Sequence, residues 1–250
     1  MSMTVETLYQ LLDERIPASL SCSWDHDGLM CCPDPKREVR RVLLTLDVTE
    51  EAVDEAVKKG CEVILSHHPL IFDPLPSLTS PKLIKLIQNN IAVMSFHTRL
   101  DAVQHGVNDT LAACLGLIDC RPLAEDSIGV IGSLPEEMAL DDFLDSVKSA
   151  LGVDTLQYTK GNGPCRRVAV VGGGGKDLFP EVLASDADTF LTGDLNYSAM
   201  MGYRESGLHL IAAGHYETEN PVLATLAQWV REWDATIECR PFACRRILFR

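Results

Sequence analysis

Several common features are missing from this 250-residue sequence. No apolar run approaches the ~20 residues that a membrane-spanning helix needs. There is no Cys-x-x-Cys, and the nine cysteines are an odd number with one adjacent pair, Cys31 and Cys32. A disulfide framework or a thiolate zinc site is therefore not expected, and the cysteines read as free thiols. Basic residues are scarce: 22 Lys and Arg face 36 Asp and Glu, for a formal net charge of −14. That balance argues against nucleic acid as a partner, because phosphate binding needs a basic surface that releases counterions. A small anionic substrate remains admissible where a metal ion supplies positive charge locally. No segment is of low complexity. The opening stretch, MSMTVETLYQLLDERIP, has an amphipathic helical pattern containing acids, unlike a signal or transit peptide. A cytoplasmic chain without a membrane partner is expected.

What is present is apolar content, 46% of residues, enough for one large domain or two small ones. Runs of β type alternate with helical patterns. RVLLTLD (41–47) reads as a strand, followed by a helix with Thr49 at its N-cap and Gly60 at its end. Then come the strand CEVILSHHP, a helix over 81–89, the strand IAVMSF and a helix over roughly 106–115. This βαβαβα order builds a parallel sheet through right-handed crossovers. A second run repeats it: strand RRVAVVGGGG, helix 177–184, strand DTFLTGD, helix 196–205, strand LHLIAAGH, helix 217–231 and strand TIECRP. The matching order suggests an internal duplication. Between the runs, 127–159 reads as strand, helix and strand, preceded by CRPLAED (120–126) as a surface linker.

Ligands of open α/β sheets collect at the carboxyl ends of the strands. Three predicted strands deliver histidine there: His67 and His68 after CEVIL, His97 with Asp101 in HTRLDA, and His215 with Glu219 in GHYETE. Within a regular strand adjacent side chains point to opposite faces, so His67 and His68 belong where the pleat ends and both rings can turn to a common point. Imidazole and carboxylate together are the ligand set of zinc, iron, manganese or nickel. The set exceeds what one tetrahedral ion with an open position uses, whereas two ions ~3.5–4 Å apart, sharing carboxylates, would use it naturally. His97 either ligates or stands beside the ligands as a supporting or proton-transferring group. His26, His105 and His209 have no carboxylate in a fitting frame and read as surface or hydrogen-bonded residues. SWDHDGL, with Asp25, His26 and Asp27, reads as a polar turn, and Asp194 in TGDLNY falls at another strand end. The run Gly172–Gly175 fits neither the dinucleotide fingerprint nor the phosphate loop. A tight strand-to-helix turn is expected there, with a backbone-amide pocket as the alternative.

LLTLDVTEEAVDEAVKKGCEVILSHHPLIF, HTRLDAVQHGVNDTLA, TGDLNY and AAGHYETE together resemble the Nif-three-like family, whose members also carry the name GTP cyclohydrolase I type 2 homologues. The likeness spans nearly the whole chain. It implies two intertwined, duplicated α/β domains with predominantly parallel sheets. Residues 1–124 with 213–250 would form the metal-binding domain, and 125–212 the second. It further implies a toroidal homohexamer and a dinuclear centre of two divalent ions per chain (zinc, iron or manganese). Carried over residue by residue, the ligands are His67, His68, Asp101, His215 and Glu219, with Asp101 and Glu219 as bridges. His97, outside that set, is the expected catalytic proton-transfer group. The sequence departs from the family at GGGGKD, where many members carry serine, and at Ser198, where many carry histidine. It also lacks the long central insertion of larger members. The expected function is metal-dependent hydrolysis of a nucleotide-like substrate; the alternative is a non-enzymatic, metal-loaded hexamer with a regulatory, interaction or metal-handling role.

Overall fold

Strands Val63–Ser66 and Ala92–Ser95 are buried along their whole length, as continuous apolar runs lead one to expect of interior parallel strands. They lie at the centre of one of two sheets in the computed structural model, which describes residues 2–124, 128–243 and 247. The chain divides into two compact units, Met1–Val103 with Leu223–Arg250, and Gln104–Val222. The fold is mixed α/β, with one sheet in each unit.

In the first unit the strand order is Gly28–Cys31, Ala92–Ser95, Val63–Ser66, Arg41–Thr45, Glu238–Pro241. Every neighbouring pair is parallel except the first. The helix Glu50–Lys59 forms as expected: the Thr49 hydroxyl accepts from the Ala52 N–H, and Gly60 ends it at φ +63°, a left-handed conformation that glycine adopts without a Cβ penalty. Leu43, Ile64 and Val93 pack with Val53, Leu83 and Leu86 in one core. Gly28–Cys31, which the sequence hides in a polar turn, is an edge strand paired antiparallel with Ala92–Ser95.

The second unit's sheet runs Ile118–Pro122, Val130–Met138, Cys165–Val171, Thr189–Thr192, His209–Ala212, Gln157–Thr159. Only the two pairs around Thr189–Thr192 are parallel, so the expectation of a predominantly parallel sheet is corrected here to a mixed one. Alternation places Val168, Val170, Leu191 and Ile211 in a core with Phe143, and Ala169, Val171, Phe190 and Leu210 in another with Phe179. Both faces of the central strands are therefore covered, which explains the consecutive apolar residues at 168–171, 190–191 and 210–212.

Three further readings change. CRPLAED is not a linker at its start: Ile118–Pro122 pairs antiparallel with Val130–Met138, while 125 and 126 lie outside the described residues. The helix Val107–Cys114 packs on Val130–Met138 and Cys165–Val171, so the units divide at 103/104 and 222/223 instead of the expected 124/125 and 212/213. The expected helix 217–231 is two, His215–Glu219 and Val222–Trp233, because Pro221 has no N–H with which to continue the ladder. No helix among the described residues is long and apolar enough to cross a membrane.

Candidate metal site

In the first unit the chain leaves the strand Val63–Ser66 directly into His67 and His68, whose ring centroids lie 4.9 Å apart. The two rings do not diverge as neighbours within a strand would. His67 is fully buried, and its Nδ1–H donates to the Phe96 carbonyl at 2.9 Å. His68 Nδ1 donates to Asp47 Oδ1 at 2.7 Å. His97 follows the strand Ala92–Ser95 and donates from Nδ1 to Asp25 Oδ1 at 3.0 Å. One ring nitrogen from each of His67, His68 and His97 falls within 4.8 Å of the others. Asp101, on the short helix Thr98–Ala102, brings Oδ1 to 3.6 Å from His67 Nε2.

The segment around His97 is anchored from a distance in sequence. Asp25 accepts from the Thr98 N–H at 3.0 Å and from the Thr98 hydroxyl at 2.6 Å. Asp27 accepts from the His97 N–H at 2.9 Å and from Arg99 Nε at 3.1 Å. The buried Arg99 continues to Asp13 at 2.6 Å and to the Ile16 carbonyl at 2.9 Å, with its guanidinium 4.5 Å above the Phe96 ring. Burial pushes the Asp25 carboxyl up, but the hydrogen bonds from Thr98 and His97 outweigh it and hold the group below its ordinary value. Burial, reinforced by His67 and His68, pushes His97 below its ordinary pKa against the opposing bond to Asp25.

In the second unit His215 opens the helix His215–Glu219, two residues beyond the strand His209–Ala212. Its Nδ1 donates to Asp194 Oδ2 at 2.7 Å, and its Nε2 stands 3.2 Å from Glu219 Oε1. The bond to Glu219, with Asp194 on the other nitrogen, raises His215 to about 9. Glu219 is buried beneath the glycine run. A Cβ on Gly173 would overlap Glu219 Oε1 and come within 3.1 Å of His215 Nε2; Gly173 also sits at φ +64°. The amides of this run are engaged internally: Gly172 donates to Asn108, Gly173 to the Thr218 hydroxyl and Gly175 to the Thr192 hydroxyl. The turn expected at Gly172–Gly175 is present, and these three amides do not form a phosphate pocket.

The donor chemistry fits a divalent cation. Carboxylate and carbonyl oxygens can only accept, so His67, His68 and His97 each carry a proton on Nδ1 and present Nε2 as the coordinating nitrogen, whereas His215, with a carboxylate at each ring nitrogen, must give up the Nε2 proton to a metal. Fixing the tautomer through the far ring nitrogen is how proteins orient metal-binding histidines. The 3.6 Å between His67 Nε2 and Asp101 Oδ1 exceeds a hydrogen bond, but suits two ligands of one tetrahedral ion with bonds of about 2.1 Å. Asp25, Asp27 and Asp47 are the site residues that sequence reading passed over. Asp47 stood at a strand end like the histidines, whereas Asp25 and Asp27 act across 70 residues or more. His26 and His105 are exposed. His209 is buried as a staple, accepting from the Gly161 N–H at 2.9 Å and lying 3.1 Å from the Gly163 carbonyl.

The chain is similar to known proteins. A Clostridium perfringens protein named GTP cyclohydrolase 1 type 2 homolog is 35% identical over 242 residues, 92% of this chain and 92% of its own. The solved structure of Staphylococcus aureus hypothetical protein SA1388 superposes with a TM-score of 0.90 at 27% identity, covering 100% of this chain and 99% of that one. A Bacillus cereus protein related to NIF3 shares the fold, with a TM-score of 0.90 at 24% identity over 100% of this chain and 99% of its own. The profile of Duf34/NIF3 (NGG1p interacting factor 3) matches residues 3–243. The chain belongs to the Duf34/NIF3 family.

Proposed function

We propose that the chain is a metal-dependent hydrolase acting on a nucleotide-like substrate, as the name GTP cyclohydrolase 1 type 2 homolog suggests for its relatives. The proposed ligands of two divalent ions, from the zinc, iron and manganese group, are His67, His68, Asp101, His215 and Glu219. The observation that carries the reading is a shared anchoring: His67, His68, His97 and His215 each hold Nδ1 against an oxygen acceptor.

Bound divalent metal would supply a water acidified towards neutrality and a positive charge for a substrate oxygen. The protein's own groups do the rest. Asp25 holds the His97 ring by Nδ1, which leaves Nε2 to take up or release a proton. Asp47 and Asp194 fix the rings of His68 and His215. Thr98 keeps Asp25 ionised, and Arg99 holds Asp27 in place beside His97. The working assembly is a homohexamer of duplicated α/β domains; light scattering that finds only monomer at micromolar concentration would remove it.

The deciding experiment is a screen of nucleotides for hydrolysis with metal-reconstituted protein, alongside His68→Ala. Turnover that the variant lacks supports the hydrolase. No turnover in protein of verified metal content would leave a metal-binding protein and end the enzyme reading.

A further inference from the structure

Beside the histidines of the first unit, two large aromatic side chains are left in water. Trp24 is 57% exposed and Phe72 is 55% exposed. Trp24 lies in the turn that carries Asp25, and Phe72 lies just beyond His68, in a segment that also exposes Leu75 and Leu78. Scattered surface leucines need no explanation. A contiguous exposed apolar group bordered by a polar cluster marks a place where something binds.

The arrangement of the rings says what. The Trp24 and Phe72 centroids are 6.2 Å apart with their planes tilted by 50°, so the two do not stack on each other. Each meets the His97 ring edge-on, at 6.1 Å and 75° for Trp24 and 6.5 Å and 76° for Phe72. The three centroids thus form a nearly equilateral triangle. Edge-to-face contact with a histidine held by Asp25 steadies both rings while much of their surface stays open to solvent. Aromatic surface of this kind takes up planar rings by stacking, and it does so for any base, because every base has a π face. Charge points the same way. In a chain of net charge −14, with Asp47 half exposed beside His68, the protein alone offers little to hold a phosphate. The ring is the handle this surface can grip.

We propose that Trp24 and Phe72 form a stacking platform that takes the base of a nucleoside or nucleotide and sets it against His97. The platform deepens the proposed function and rests on it for the chemistry that follows. Trp24 and Phe72 are positioning residues: they touch the ligand's ring, and the groups that act on it lie among the histidines.

The test uses the as-purified, full-length protein, with guanosine as the probe and ribose as the ring-free control. Binding is measured by calorimetry for the native chain and for Trp24→Ala, Phe72→Ala and Trp24→Phe, with the metal content of each measured in parallel. Guanosine binds and ribose does not. Each alanine variant weakens guanosine about tenfold, the scale of one lost stacking contact. Trp24→Phe retains most of the affinity, and metal content is the same in all four proteins. Three results would overturn the platform: no guanosine binding by the native protein, equal binding by the alanine variants, or a loss of binding that appears only with a change of oligomeric state in light scattering. That last outcome would assign the two rings to an interface between copies. The two readings fail separately. Trp24-dependent guanosine binding without turnover of any nucleotide keeps the platform and removes the hydrolase. Turnover whose KM is untouched by Trp24→Ala does the reverse.

Discussion

Replacing Gly173 by alanine should impair metal binding without substituting any of the proposed ligands, and Gly174→Ala should leave it intact. Gly173 sits at φ +64°, where a residue with a Cβ is disfavoured by about 1–2 kcal/mol. The added methyl would also overlap Glu219 Oε1 and lie 3.1 Å from His215 Nε2. Glu219 ends a flexible side chain, but it is only 4% exposed and is hemmed in by Gly172. Its carboxylate must therefore leave the position in which it faces His215. The backbone strain alone predicts a loss of about 1–2 kcal/mol, or roughly 2–8 °C in Tm for a chain of this size. Displacing Glu219 should weaken metal affinity by about 10- to 100-fold, the range seen when the support of a ligand is removed. Gly174 has no atom within 4 Å of an added Cβ, so its alanine variant controls for the loop itself. The assay is zinc competition against a chromogenic chelator, with thermal melts of both variants. Native zinc affinity in folded Gly173→Ala would refute the claim that the glycine run shapes the site.

Glu219→Gln should lower metal occupancy, because a neutral amide cannot bridge cations as a carboxylate does; full occupancy by elemental analysis would remove Glu219 from the ligand set. His97→Ala should keep its metals and lose most turnover, by about 100- to 10,000-fold, whereas loss of metal would make His97 a ligand or its support. Metal binding at His215 must displace a proton held to about pH 9, so affinity should rise with pH up to that point, and calorimetry in buffers of differing ionisation enthalpy should register the proton released. In the metal-free protein the sign reverses. The folded-state pKa is raised above the ordinary value near 6.5, so the stabilisation from Asp194 and Glu219 is complete below about pH 6.5 and disappears as pH rises through about 9. Urea melts of metal-stripped protein at pH 6 and pH 9 would expose the opposite trend.

Much of this was legible in the sequence because the interior strands are apolar without interruption and end abruptly in polar residues. VILS followed by two histidines, and AVMS followed shortly by His97, announce both a buried strand and its functional end. The helix capped by Thr49 and Gly60 was legible for an equally local reason. What escaped was non-local. Gly28–Cys31 is a strand only because Ala92–Ser95 offers it an edge. Asp25 and Asp27 look like turn residues until the fold brings His97 and Thr98 to them. The break at Pro221 was local and available, but the helical pattern on either side of it concealed two helices as one. The second sheet's antiparallel pairs depend on how Val130–Met138 returns against Cys165–Val171, which periodicity does not encode.

The far-side hydrogen bonds of the four histidines also bear on the order of events in the life of the chain. In small zinc modules the cation gathers loose side chains, and folding waits for it. Here the rings of His67, His68 and His97 are oriented by Phe96, Asp47 and Asp25, on strands whose own apolar packing needs no cation. A cation would meet donors that these bonds already orient, with little conformational freedom left for it to remove. The cost of ordering the rings would then fall on the fold instead of on the ion, and which ion is taken would follow from the supply at hand as much as from the polypeptide.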